Sequence, residues 1–194
     1  MAKHHVFPMW LGYLHLNPLR KLTHNPDKIL GPYVNEAMTV ADIGCAMGLF
    51  SLPLAKMVGA NGKVICVDIE ENMIRSLEKR VQKAGLSGRI QSIICNDGSL
   101  CLDDFKGKID FALAIGVEHE IQGSSKFFSE LNQAMKPAGR LLVAAPKWFV
   151  SETDFERTVS VAKHNGFEVT DRPQMKGCMT VLLQKCSNKK ESEK

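Results

Sequence analysis

Between residues 38 and 184 the chain alternates short Val/Ile-rich runs with longer segments of helical periodicity, and this alternation constrains the fold more than anything else in the sequence. The apolar runs fall at 38–43, 63–67, 90–95, 110–115, 141–145, 167–170 and 180–184. Several are apolar almost throughout rather than at every second residue, as in Val64-Ile-Cys-Val67. A strand of that kind must be covered on both faces, which requires a mostly parallel sheet between two layers of helices. The predicted helices occupy 49–58, 72–84 and 126–135, and a fourth begins near Thr153. In the second, Met73, Leu77, Val81 and Ala84 share one face, and Gly85 stops it. Thr153-x-x-Glu156 reads as a capping box opening the last helix, which runs to Asn165-Gly166. Pro137-Ala138-Gly139 reads as a turn into the fifth strand. About a dozen residues without helical pattern join the last two strands, so they are expected as an antiparallel pair at one edge. The expected fold class is α/β: a seven-stranded, mostly parallel sheet flanked by helices, with the last strand antiparallel.

A chain of 194 residues has room for one domain. The texture divides it into an N-terminal helical segment, 1–36, a ligand-binding domain, 37–186, and a polar tail, 187–194. The formal charge of +4 sits mainly in the two ends, which leaves the middle near neutral. A nucleic-acid groove normally needs a clustered basic face, so nucleic acid is not the expected partner. The six cysteines form no C-x-x-C pair and read as reduced thiols rather than a zinc site. No metal is expected: His4 and His5 could join His119 as ligands, but two adjacent His in a terminal stretch usually bind nothing. There is no apolar run of roughly 18 residues to span a membrane and no signal-peptide pattern, so the cytoplasm is the expected location. An edge strand near the C-terminus would permit a homodimer.

Ligands of open α/β sheets sit beyond the carboxyl ends of the strands. The first strand ends Asp42-Ile43-Gly44-Cys45-Ala46-Met47-Gly48. A dinucleotide loop, G-x-G-x-x-G, counted from Gly44 would need glycine at 46 and 49, where the chain has Ala46 and Leu49. A carboxylate two residues before the first glycine would also repel a pyrophosphate, whereas it suits a cationic ligand such as the ammonium of a methionine moiety. Asp68 ends the second strand twenty residues past Gly48, where a carboxylate can accept hydrogen bonds from both hydroxyls of a ribose. Asp97, or its neighbour Asn96, can bond an adenine amine at the end of the third strand, with Gly98 letting the ring lie close.

Four stretches carry a family resemblance: VADIGCAMGLFS at 40–51, VICVDI at 64–69, IDFALAIG at 109–116 and LNQAMKPAGRLLVAAP at 131–146. Together they resemble class I S-adenosylmethionine (SAM)-dependent methyltransferases, which implies a Rossmann-like methyltransferase fold and SAM as cofactor. The wider chain is similar to small bacterial and archaeal members distantly similar to quinone- and phospholipid-type enzymes. The resemblance implies a cofactor site made of Asp42, Gly44, Cys45, Ala46, Gly48, Asp68, Ile69, Asn96, Asp97, Gly98 and Gly116. Ala46 stands where the family usually has a glycine, and one methyl in a tight site costs about 1 kcal/mol. Ala138 likewise replaces a turn glycine.

For the acceptor, Glu118-His119-Glu120 after the fourth strand faces the mouth of the site by the strand-end rule. His119 is the candidate base, oriented by Glu118 or Glu120. Trp10 and Tyr13 are candidates for an aromatic lid over the sulfonium, and Trp148 for the wall of an acceptor pocket. A small-molecule acceptor is the expected substrate. A SAM-binding regulatory module without catalysis and a nucleic-acid methyltransferase are the alternatives. The latter lacks both an Asn/Asp-Pro-Pro-aromatic motif after the fourth strand and any Pro-Cys pair.

Overall fold

A computed structural model describes residues 25–96, 98–117 and 125–187. Seven strands form one sheet: β1 (Thr39–Ile43), β2 (Lys63–Asp68), β3 (Ile90–Ile94), β4 (Ile109–Ile115), β5 (Met135–Pro146), β6 (Phe167–Asp171) and β7 (Cys178–Lys185). Their order across the sheet is β3-β2-β1-β4-β5-β7-β6. The pairs from β3 to β5 are parallel, while β7 runs antiparallel to both β5 and β6. The last strand is therefore antiparallel, as expected, but it lies between β5 and β6 and leaves β6 at the edge. The chain moves outward from β1 in one direction and from β4 in the other. The gap between these two neighbours is thus the topological switch point at which open α/β sheets bind ligands.

Five α-helices are described: α1 (Pro26–Leu30), α2 (Ser51–Met57), α3 (Glu71–Lys83), α4 (Ser125–Ala134) and α5 (Glu152–His164). Strand alternation splits the core into two layers. On one face Val40, Val64, Phe111 and Leu142 meet Leu54 of α2 and Ile74, Leu77 and Val81 of α3. On the other, Ala41, Ile65, Ala112 and Val143 meet Phe128 and Leu131 of α4 and Phe155 and Val159 of α5. Leu30 and Val34 belong to the first layer, so residues 25–36 pack into the same core as the rest of the domain. Among the described residues no helix is long and apolar enough to cross a membrane.

Three local expectations need correction. The segment at 136–139 is not a separate turn. It lies within β5 as an irregularity, the pairing stepping from Ile109↔Met135 to Phe111↔Arg140. Pro137 has no N–H for the ladder and Ala138 takes a left-handed φ of 59°, so the extra residues bulge outward. Met135 consequently opens β5 instead of ending α4. The capping box is not Thr153-x-x-Glu156: Ser151 is the N-cap, its Oγ accepting from the Asp154 N–H at 3.1 Å. Ser151 has extended backbone angles (φ −73°, ψ 154°), as a cap needs, while Thr153 is already helical.

Ser151→Ala is expected to lower stability by about 1 kcal/mol, and Thr153→Ala to stay within about 0.5 kcal/mol of the parent, both read from urea unfolding. The reverse ranking would return the cap to Thr153.

Candidate cofactor site

Residues 44–48 cross the carboxyl ends of β1 and β2. The Gly44 and Cys45 N–H groups both donate to the Val67 carbonyl, at 2.8 and 3.0 Å, and the Gly48 N–H donates to the Cys45 carbonyl at 2.9 Å. Asp68 then ties the loop to the following turn. Its Oδ2 accepts from the Ala46 N–H at 2.7 Å and its Oδ1 from the Glu70 N–H at 2.9 Å. From α3 the Arg80 guanidinium donates to the Met47 carbonyl.

The glycines serve two different purposes. A Cβ on Gly44 would fall 2.1 Å from Val117 Cγ1, and one on Gly48 would fall 2.4 Å from Leu77 Cδ1. Both positions also have left-handed φ, 70° and 81°. The protein's own packing therefore demands glycine at these two positions, whatever approaches from outside. Gly98 and Gly116 differ: their φ values are 92° and 75°, and a Cβ at either would meet no described residue within 4 Å. Ala46 sits between the tight glycines at φ 45°, a left-handed conformation that an L-residue with a Cβ adopts at a cost of about 1–2 kcal/mol.

Two carboxylates flank this loop. Asp42 is only 3% exposed, and its Oδ2 accepts from Ser51 Oγ, at the start of α2, at 2.5 Å. Burial pushes its carboxyl up from the ordinary 3.8 to about 7; the Ser51 hydrogen bond opposes the shift and the charge of Asp68 adds to it. Asp68 is raised as well, chiefly by burial, with the N–H groups of Glu70, Ala46 and Ile69 pulling the other way. Among the described residues no cationic side chain pairs with either acid. Two partly desolvated carboxyls without a counter-ion suit a ligand that brings positive charge and oppose one that brings phosphate. The same carboxylate of Asp68 keeps lone pairs for a second donor on each oxygen.

The other candidates are placed as follows. Ile69, just past Asp68, is 42% exposed, an apolar side chain left open beside the loop. Asn96 is exposed and bridges to Ser99. Gly116 follows β4 and its N–H donates to the Ala144 carbonyl at 3.0 Å, which puts it beside β5. Cys45 is buried, and contact with Cys66 together with burial raises its thiol well above the ordinary value, as for an inert packing thiol. Trp148 is 75% exposed on the turn after β5. Asp97, Glu118, His119, Glu120, Trp10 and Tyr13 lie outside the described residues. Sequence reasoning missed Ser51, Arg80 and Val117. Ser51 follows the last glycine at a helix start, which is a usable signal; the reach of Arg80 to a loop carbonyl has none.

This geometry defines a class before any comparison: an open α/β sheet whose switch point carries a glycine loop tied to the acid that ends the second strand. A family model described as a methyltransferase domain matches residues 34–190, and the chain belongs to that family. A SAM-dependent methyltransferase from Aquifex aeolicus is 25% identical, with a TM-score of 0.80, over 92% of this chain and 99% of that one. The ubiquinone/menaquinone biosynthesis C-methyltransferase UbiE of Escherichia fergusonii is 27% identical over 111 residues, 57% of this chain and 43% of the relative. The chain thus spans under half the length of that curated relative. The [4+2]-cyclase SpnF shares the fold at a TM-score of 0.67 with 14% identity, covering 86% of this chain and 81% of the cyclase. Family and structural neighbours imply S-adenosylmethionine as the cofactor, and two acids with no cationic partner among the described residues, together with exposed Ile69, fit it.

Two outcomes follow. Ala46→Gly should raise stability by about 0.5–1 kcal/mol in urea unfolding, the relief of left-handed strain outweighing the added freedom of the unfolded chain; a loss would mean that the methyl packs usefully. Asp42 ionises near 3.8 when unfolded and near 7 when folded, so the native state holds an extra proton between these values. Its contribution is full below the lower value and is lost as pH rises through the upper one. Stability measured across that window should fall more steeply with pH in the parent than in Asp42→Asn, with a residual slope from Asp68, also raised.

Proposed function

We propose that this protein transfers the methyl group of S-adenosylmethionine to a small-molecule acceptor. The observation that carries the reading is the loop at 44–48, tied to Asp68, with neither Asp42 nor Asp68 paired to a cation among the described residues. The cofactor supplies a methyl activated by its sulfonium, so the work left to the chain is alignment and exclusion of water. In this reading Asp68 holds the ribose hydroxyls and Ile69 covers one side of the adenosyl group. Asn96 or Asp97 bonds the adenine amine, and Gly98 and Gly116 give the ligand room. Asp42 acts from beneath the loop through Ser51, its charge favouring a cation above.

Acceptor chemistry belongs to the ends of β4 and β5. His119 takes a proton from the nucleophile where it carries one, and Glu118 or Glu120 orients it. Trp10 and Tyr13 close from the N-terminal segment, and Trp148 stands at the rim. The UbiE relatives are C-methyltransferases of ubiquinone and menaquinone biosynthesis, which supports a small organic acceptor and a carbon nucleophile here. The near-neutral charge of the middle of the chain supports the same class over nucleic acid. The cytoplasm is the proposed location, and edge pairing into a homodimer is compatible with this arrangement. SpnF, a cyclase of the same fold, is the reason to keep a second reading: a SAM-binding protein that transfers no methyl.

Calorimetric titration with SAM, S-adenosylhomocysteine and NADH tests the cofactor. Binding near micromolar, about −8 kcal/mol, is expected for the two adenosyl ligands and none for NADH. Asp68→Ala should weaken it at least about tenfold, since each lost charge-assisted bond is worth roughly 1.5–3 kcal/mol. Absence of adenosyl binding would leave only the fold. With an acceptor in hand, His119→Asn should slow transfer by about 10²–10⁴ while SAM affinity holds; SAM binding without turnover on any acceptor would favour the second reading.

A further inference from the structure

Asn96 and Gly98 follow β3, the edge strand on its side of the sheet. A chain leaving an edge strand has no ladder on its outer side, so its N–H groups need acceptors from elsewhere. The Ser99 N–H donates to the Asn96 carbonyl at 3.1 Å and closes a turn. The Leu100 N–H donates to Glu130 Oε2, from α4, at 2.6 Å. The Cys101 N–H donates to Ser99 Oγ at 3.2 Å, and that hydroxyl donates in its turn to the same Glu130 oxygen at 3.2 Å. A single carboxylate oxygen therefore secures both Ser99 and Leu100. The backbone it secures is a costly one, since Cys101 takes a left-handed φ of 54°.

The other end of this segment is tied to β2, where the Cys95 N–H donates to the Asp68 carbonyl at 3.0 Å. Leu100 and Leu102 enter the core layer of Phe127, Phe128 and Leu131, so α4 also carries the apolar side of the segment. The turn is thus hung between the backbone of Asp68 and the carboxylate of Glu130. Glu130 has a side chain 21% exposed, and its ion pair among the described residues is a loose one, to exposed Lys126 at 3.7 Å. Its short bond is the one to the Leu100 N–H. Asp68 is the group proposed above for the ribose, and Asn96 or Asp97 the group for the adenine amine. The suspension between Asp68 and Glu130 then sets the spacing between the sugar and base contacts of one nucleoside. We propose that Glu130 is a positioning residue for the base of the cofactor: by fixing the turn that opens at Asn96, it makes the site prefer adenine. The proposal rests on the SAM-binding reading and adds to it the residue on which base selection depends.

Calorimetric titration with S-adenosylhomocysteine and with S-inosylhomocysteine, in which a carbonyl oxygen replaces the adenine amine, separates positioning from a loss of stability. The parent should prefer the adenosyl ligand by at least about tenfold. Glu130→Ala should weaken the adenosyl ligand by about tenfold and the inosyl ligand far less, so that the preference largely disappears. Glu130→Gln, whose amide oxygen still accepts from the Leu100 N–H, should recover most of the preference. Ser99→Ala removes one donor and leaves Leu100 on Glu130; it should cut the preference about threefold, and it carries the test if Glu130→Ala does not fold. Asp68→Ala, by contrast, should weaken both ligands by the same factor, since the ribose is common to them. Equal weakening of the two ligands by Glu130→Ala, with the preference intact, would overturn the proposal and leave Glu130 a brace of the fold. An undiminished preference in Ser99→Ala would overturn it too. A parent that binds both ligands equally would overturn the proposal alone, whereas a parent that binds neither would overturn the SAM-binding reading and the proposal with it.

Discussion

The Asp68 carboxylate takes two backbone N–H groups from opposite sides, Ala46 in the loop after β1 and Glu70 at the start of α3. Each of those donors lies at an irregular bend where no ladder partner is available. A backbone N–H left without a partner in such a place costs free energy comparable to a lost hydrogen bond. One side chain at the end of β2 thus fixes the spacing of two strand ends. Arg80 meets the Met47 carbonyl from the neighbouring helix and closes the other side. The loop is held by β2 and α3 as well as by its own glycines, so its shape is set before any ligand arrives.

That division explains which parts were legible. The strand runs and the α3 face were readable because burial on both faces and a 3.6-residue period leave strong marks. Gly44, Gly48 and Asp68 were readable as a spacing, but the reason for the glycines was not. The sequence suggests room for a ligand, whereas the clash partners are Val117 and Leu77, residues far along the chain. Thr153 and Ser151 show the same limit at smaller scale. Both spell a box with an acid three residues on, and only the backbone angles decide between them. The bulge in β5 hid behind Pro137-Ala138-Gly139, since a turn and a bulge call for the same residues.

The acceptor side is harder to read for a chemical reason. A sulfonium methyl is activated before it reaches the protein, so no fixed nucleophile or base is demanded of the chain. Selection then acts on shape and on what surrounds the mouth, which leaves no motif of set spacing. The residues that follow β4 and β5 can vary without cost to the fold, because the strands beneath are packed on both faces. SpnF, a [4+2]-cyclase, has the same fold, so the sheet by itself does not set the chemistry.

Asp42 joins these points. A carboxyl buried to 3% exposure with one hydroxyl donor is a poor element of stability, and its shift toward neutrality says so. An apolar residue of similar size would fit the layer of Val40, Val64 and Leu54 around it at lower cost. When ionised, the acid would direct a negative field toward the loop, and among the described residues no cationic side chain pairs with it. A positively charged ligand above the loop would lower the cost of ionising Asp42, and the ionised acid would in turn hold the ligand more firmly. The two effects are one coupling free energy seen from either side.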